Sequence, residues 1–162
     1  MGAVQVHDSA RLRQVFGAFP SGVTTLGALV DGLPVGMAAS SFTSVSLEPA
    51  LVSVCIAHTS TTWPVLSGAP RLGVSVLGAD QEQIARRMAS RDVNRFDGVG
   101  WRALDSGAVV IDGVSAWLDC TIEDSFHAGD HEIVVLRVVE LDADPDVTPL
   151  VFHASAFRRL EI

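Results

Sequence analysis

Residues 22–57 read GVTTLGALVDGLPVGMAASSFTSVSLEPALVSVCIA, and this stretch decides the fold class. The β-branched run Val23-Thr24-Thr25 opens a strand over Gly22 to Val30. Asp31-Gly32 is a two-residue hairpin signal, because both residue types tolerate the positive φ that such turns need. Leu33 to Ala39 then returns as the antiparallel partner. Leu51 to Ala57 is a further strand, apolar at nearly every position, as expected of a strand covered on both faces in the middle of a sheet. No helix fits between these strands, so the order is a meander and not a βαβ unit.

The rest of the chain repeats this pattern with few interruptions. Ser9 is a candidate cap for a helix carrying Leu12, Val15, Phe16 and Phe19 at i, i+3, i+4 and i+7, stopped by Pro20-Ser21-Gly22. A loop from His58 leads to a short helical turn at Trp63-Pro64-Val65-Leu66, and Leu72 to Leu77 is the next strand. Asp80 opens a second helix with Gln83 at capping-box spacing and Ile84 and Met88 on one face. Residues 90–107 are polar and irregular, with an aromatic pair at Phe96 and Trp101. Ala116 to Glu123 alternates, with Leu118, Cys120 and Ile122 on one side, and pairs with His131 to Leu141 across a loop from Asp124 to Asp130. Leu150 to His153 is a last short strand before Arg158-Arg159. No repeat or linker divides the chain, so residues 1–162 form a single domain. The fold class is mainly β: an antiparallel barrel with a few short helices.

Composition narrows the function classes. A formal net charge of −8, with no basic run longer than Arg86-Arg87, argues against a nucleic-acid surface. Apolar residues reach 48% and charged ones only 19%, which suggests apolar surface hidden in a subunit interface. Cys55 and Cys120 are too few and too far apart for a disulfide framework or a metal site, and read as buried free thiols. Met1 to Val6 lacks a basic leader and no apolar run is long enough to span a membrane, so a cytoplasmic, non-membrane protein is expected. No G-x-G-x-x-G follows a strand and no G-x-S-x-G elbow is present, so neither a Rossmann nucleotide site nor a nucleophilic serine is indicated.

The candidate chemistry centres on the corner from Gly36 to Pro49. Five hydroxyls, Ser40, Ser41, Thr43, Ser44 and Ser46, stand there with the small residues Gly36, Ala38 and Ala39, and no charge precedes Glu48. Two readings are open: a turn-rich surface loop, or a cradle of small donors that a phosphate-bearing ligand approaches closely. Thr59-Ser60-Thr61-Thr62 follows the next strand and offers a second group of hydroxyls. Ser90-Arg91 adds a cation that is either an exposed helix-end arginine or a phosphate donor. His131, between Asp130 and Glu132 at a hairpin mouth, is either a surface histidine or a substrate contact, and has no neighbouring metal ligands in sequence. His153, in the last strand, is a weaker candidate of the same kind.

Taken together these segments resemble the flavin reductase family with the FMN-binding split-barrel fold, whose members typically serve two-component flavin-dependent monooxygenases. The resemblance rests on Phe19-Pro20-Ser21-Gly22-Val23, Gly36-Met37 with Ser41-Phe42-Thr43-Ser44-Val45-Ser46, and Leu51-Val52-Ser53-Val54. Ser60-Thr61-Thr62-Trp63, Phe96-Asp97-Gly98-Val99 and Gly129-Asp130-His131 complete it, in the same order along nearly the whole chain. It implies FMN or FAD lying along Gly36, Met37, Ala38, Ala39, Ser40, Ser41, Phe42, Thr43 and Ser44, with the ring also near Cys55, Ile56 and Ala57. The phosphate then meets Ser41, Thr43 or Ser44 together with Ser60, Thr62 and the Ser90-Arg91 pair, with Ala89 beside them at the helix end. His131, as the catalytic contact to the nicotinamide, would work with Phe96 and His153 on the substrate side. The implied activity is that of an NAD(P)H-dependent flavin reductase, passing a hydride from NADH or NADPH to the flavin and supplying a partner monooxygenase, with the protein a homodimer. The alternatives are a flavin-binding split-barrel protein without catalysis, or a flavin-bound oxidase of another substrate. Ala38 and Ser40 replace a threonine and an asparagine often found in the family, and Phe152 or His153 stands where a tyrosine is common.

Overall fold

A computed structural model describes residues 6–92 and 94–162 of the chain. Its main element is a seven-stranded antiparallel sheet. The strands are β2 (Thr24–Val30), β3 (Leu33–Ala39), β4 (Thr43–Leu47), β5 (Ala50–Ala57), β6 (Leu72–Val76), β9 (Ala116–Ala128) and β10 (His131–Ala143), in the order β3-β2-β6-β9-β10-β5-β4. A three-stranded sheet joins β1 (Ser21–Gly22), β11 (Leu150–His153) and β12 (Ala156–Arg159), and β7 (Trp101–Ala103) pairs with β8 (Val109–Ile111). Three short helices interrupt the strands: α1 (Ser9–Phe16), α2 (Trp63–Leu66) and α3 (Glu82–Ala89). This is the expected antiparallel split barrel.

The sheet curls because its longest hairpin is bent. β9 and β10 exchange bonds over their full length, with register shifts between Val135 and Leu136 and between Val138 and Glu140. Such bulges increase local twist and turn a ribbon back on itself. The curl brings β3, at one edge, against β5 near the other. Inside, Leu26, Ala39, Val54, Leu72, Leu118 and Leu136 from six strands share one buried cluster, plugged by Trp63 and Leu66 of α2. A second cluster, around Val23, Leu77, Met88, Ile111 and Leu150, gathers α3, β8 and the small sheet. β8 reaches this position only because Gly73 has no side chain: a Cβ there would lie 2.1 Å from the Val109 carbonyl oxygen.

Several elements differ from the sequence reading. Asp8, not Ser9, caps α1: its backbone is extended and its carboxylate accepts from the Arg11 amide at 3.2 Å. α1 buries none of its residues, and Val15, Phe16 and the following Phe19 are exposed. Asp80 does not cap α3, which starts at Glu82 without a side-chain cap. β5 is second from the edge and not central. Val52, Val54 and Ile56 enter the core, whereas Leu51, Ser53 and Cys55 on the other face are only half-buried. The segment 124–128 is strand and not loop, so the turn is confined to Gly129-Asp130. β4, β7 and β12 lie in the stretches read as corner, irregular segment and tail, and β8 falls between the elements the sequence pattern marks. Cys120 is buried as expected, its thiol pushed up to about 12 by burial and then by the adjacent Asp119 carboxylate; Cys55 is half-buried.

Candidate functional site

The site is organised by an arginine. Arg95 Nη1 donates to the Gly36 carbonyl at 2.9 Å and to Thr62 Oγ1 at 3.1 Å, while Nε donates to the Ser90 carbonyl at 2.9 Å. One guanidinium thus ties β3, the loop before α2 and the end of α3 together. Its rigid fork of donors suits this, since each acceptor comes from a different element. Beside it Phe96 packs over Gly36, where a Cβ would lie 2.7 Å from the ring, so the glycine is needed for that contact. The result is a groove of about 700 Å³ whose walls include Pro34, Val35, Gly36, Thr62, Arg91, Arg95 and Phe96, with Asp92 and Asp97 at its rim. Arg91 is exposed, and both rim carboxylates lean on Arg87, at 3.9 and 3.8 Å.

The hydroxyls predicted from the sequence fall into three groups. Ser60 sits under the corner: its Oγ accepts from the Trp63 amide at 3.1 Å and lies 3.9 Å from Met37 Sδ. Thr62 faces the groove, and because its Oγ accepts from Arg95 its own hydrogen remains available to a ligand acceptor. Ser41 is used differently. Its Oγ accepts from the Cys55 amide at 2.8 Å and donates to the Cys55 carbonyl at 3.1 Å, replacing a missing backbone pair between corner and β5. Ser90 Oγ donates to the Arg87 carbonyl at 2.7 Å, closing the end of α3. Thr43 and Ser44 are exposed on the edge strand β4, Ser40 is exposed, and Ala89 is exposed at the helix end. Phe42, Met37 and Ala39 pack towards the first core cluster, and Ala38 towards the second.

A separate group lies at the mouth of the β9–β10 hairpin. His131 stands opposite Ala57 of β5 and Ala128 of β9, which sets it at the end of the strand carrying Cys55 and Ile56. Its Nδ1 is 2.7 Å from Asp130 Oδ1, and that hydrogen bond, with the histidine's charge, holds the Asp130 carboxyl below the usual carboxylate range. A carboxylate on Nδ1 favours the tautomer with hydrogen there and leaves Nε2 as the acceptor when the ring is neutral. His58, the residue after β5, stacks on His127 of β9 with ring centroids 4.4 Å apart, a pairing that no local sequence signal announces. Among the described residues no group of acidic, cysteine or histidine side chains forms a metal site.

The fold therefore collects Gly36, Thr62, Ser90, Arg91 and Phe96 around Arg95, sets Ser60 beside Met37, and links Ser41 to Cys55. His153 goes elsewhere, to the small sheet opposite Ala156. The sequence reading missed Arg95. In a polar stretch with Arg91 four residues before it, nothing but the adjoining Phe96 marks it out.

The comparisons with known proteins bear on this geometry. Residues 16–161 match the family model described as flavin reductase like domain. The chain belongs to the flavin reductase family. A flavin reductase of Pseudomonas putida is 39% identical over 151 residues, covering 93% of this chain and 89% of the relative. The reductase subunit HsaB of a flavin-dependent monooxygenase from Rhodococcus jostii is 35% identical over 159 residues, covering 98% and 82%. Among solved structures, the NADH:FAD oxidoreductase SgcE6 of Streptomyces globisporus, in complex with NAD and FAD fragments, superposes with a TM-score of 0.94 at 39% identity, covering 99% of this chain and 98% of that one. As a flavin reductase family member the chain is an oxidoreductase of flavin and nicotinamide nucleotides. No helix of the described residues is long and apolar enough to cross a membrane.

Proposed function

We propose that this protein transfers a hydride from NADH to free FAD and releases the reduced flavin to a flavin-dependent monooxygenase. The observation that carries the reading is the convergence of Gly36, Thr62, Arg91, Arg95 and Phe96 on one groove, in a chain of the flavin reductase family. The choice of NADH and FAD over NADPH and FMN is supported by the substrates named for SgcE6. The donor set fits a flavin: small residues and strand-end amides at the corner for the planar ring, and hydroxyls with two cations for phosphate.

The bound flavin supplies the hydride acceptor, and this chain's residues supply position and shielding. On the edge strand β3, whose amides point alternately towards β2 and away from it, the outward main-chain donor beside Met37 and Ala38 would meet the negative charge of the reduced ring. Thr62 and Arg91 take the phosphate end. His131, held by Asp130 at the hairpin mouth, would contact and orient the nicotinamide of the hydride donor. Phe96, packed over Gly36, forms an apolar part of the groove wall.

The protein works as a homodimer in this reading. Cα partners share a face, so Phe126, Ile133 and Cys55 form one row across β9, β10 and β5, turned away from the core residues Val134 and Val54. His131 and Ala57 stand on the same face two residues on. A second copy covering that row would close the site on its open side.

Steady-state NADH oxidation tests the reading. The rate should rise and saturate with added FAD, with no flavin retained through gel filtration at micromolar protein. A yellow protein indifferent to added flavin would overturn it in favour of a bound-flavin role.

A further inference from the structure

Arg87 lies in the last turn of α3 and does not line the groove, yet its acceptors all come from the chain that builds the groove wall. Its Nη2 donates to the Asn94 carbonyl at 2.7 Å and its Nε to the Arg95 carbonyl at 3.1 Å. The Asp92 and Asp97 carboxylates stand farther off, at 3.9 and 3.8 Å, and both are exposed. At that range they moderate the charge, and the two carbonyl bonds fix the geometry, because a planar fork meets two adjoining carbonyls in one orientation. Among the described residues no other side chain donates to either carbonyl. The base of the fork is firm: Ala85 and Met88 bury α3 in the second core cluster, and Arg87 itself is only 32% exposed.

Arg95 is thus held from two sides, its main chain by Arg87 and its side chain by the Gly36 carbonyl, Thr62 and the Ser90 carbonyl. Phe96 follows directly and packs over Gly36. Rotation of the peptide that joins Arg95 to Phe96 would change the angle between these two side chains, and the carbonyl bond to Arg87 opposes it. We propose that Arg87 is a positioning residue for flavin binding, acting through the main chain of Asn94 and Arg95 to keep the Arg95 and Phe96 side chains in place on β3. A site organised in advance spares a ligand the cost of ordering it, so a loosened wall weakens binding without any contact to the ligand being deleted. This role rests on the groove being the flavin seat and does not depend on turnover.

The test is Arg87→Ala, with FAD affinity read by equilibrium titration of tryptophan fluorescence. Affinity should fall by about tenfold, the usual scale of a charge-assisted contact. In turnover the KM for FAD should rise alike, while kcat at saturation and the KM for NADH stay within about twofold. Guanidinium chloride at about 20 mM, far below denaturing concentrations, should return most of the lost affinity to Arg87→Ala and leave wild type unchanged. Arg87→Lys, which keeps the charge without the fork, should fall between. A readout that needs no flavin is trypsin cleavage after Arg95, which should quicken several-fold in Arg87→Ala as the turn opens locally. A lowered Tm with unchanged FAD affinity would show a merely structural arginine and overturn the proposal, and so would a loss of affinity that guanidinium does not restore. Should Arg87→Ala not fold, Arg87→Lys must show the weakened FAD binding, and failure to do so overturns it. A wild type that binds no FAD would sink the flavin seat and the proposal with it. A wild type that binds FAD but never oxidises NADH would sink the reductase reading and leave the positioning role standing.

Discussion

Single residues in this chain divide between those that hold the barrel and those that serve its mouth. Asp119 is 1% exposed and depends on Arg71, which donates from Nε at 3.0 Å and Nη2 at 2.9 Å, with Ser106 Oγ donating at 2.8 Å. Removing one partner of a buried pair strands the other charge, so Arg71→Ala should cost about 3–5 kcal/mol in a urea titration. A cost under about 1 kcal/mol would mean that water reaches Asp119 and the pair behaves as a surface one. His131 is a different case, half-exposed and tied only to Asp130. His131→Ala should leave the urea midpoint unchanged within error, raise the KM for NADH several-fold and barely alter that for FAD. A selective rise for FAD instead would place the histidine on the flavin side. Asp130 points the same way with respect to pH. Its carboxyl sits below its ordinary range in the folded protein, so its pairing with His131 is complete above the ordinary carboxylate pKa and is lost as pH falls through the lowered value.

At the scale of elements, the glycines decide which strands can cross. β8 lies over β2 and β6 at Gly27 and Gly73, and the Gly73 position leaves no space, with the Val109 backbone as the obstacle and not a movable side chain. Gly73→Ala should therefore push β8 off the sheet and destabilise the protein by at least about 1–3 kcal/mol, the range of an overpacked core. The measurement is thermal unfolding, and an unchanged Tm would mean that β8 shifts freely. This crossing also explains what could be read in advance. β2, β3 and α2 were legible because an Asp-Gly turn and a Trp-Pro helix start are local signals, and local signals set those elements. β8 was not: Val109-Val110-Ile111 is a short apolar run whose ladder partner is the irregular Trp101–Ala103, and its seat over β2 and β6 depends on two glycines far away in sequence. The site divides likewise. The hydroxyl corner and His131 stand out in the residues themselves. That Ser41 is spent on the Cys55 backbone, and that Arg95 rather than Arg91 ties the groove, follows only from tertiary placement.

At the scale of the whole molecule, the unusual feature is where the apolar residues go. Leu47 is 96% exposed and Phe19 80%, while Phe126 and Ile133 stand side by side on the outer face of the hairpin. This apolar row is the surface on which the proposed homodimer would close. It also accounts for β5, whose outward Leu51 and Cys55 gave the sequence its appearance of a central strand: a strand second from the edge is covered on both faces if another copy lies against it. Ile133→Asp sets a charge in the middle of that face without touching the core. Desolvating an unpaired carboxylate is costly enough that the dimer constant should weaken by at least about tenfold, read by sedimentation velocity across protein concentration, while the far-ultraviolet spectrum stays unchanged. Because His131 and Ala57 share the face with Ile133, the monomer so produced should also lose most NADH oxidation at saturating FAD. A wild type that sediments as a monomer would refute the homodimer. A monomeric Ile133→Asp variant with full activity would show that the groove and hairpin mouth of one chain suffice, and that the covered face contributes stability alone.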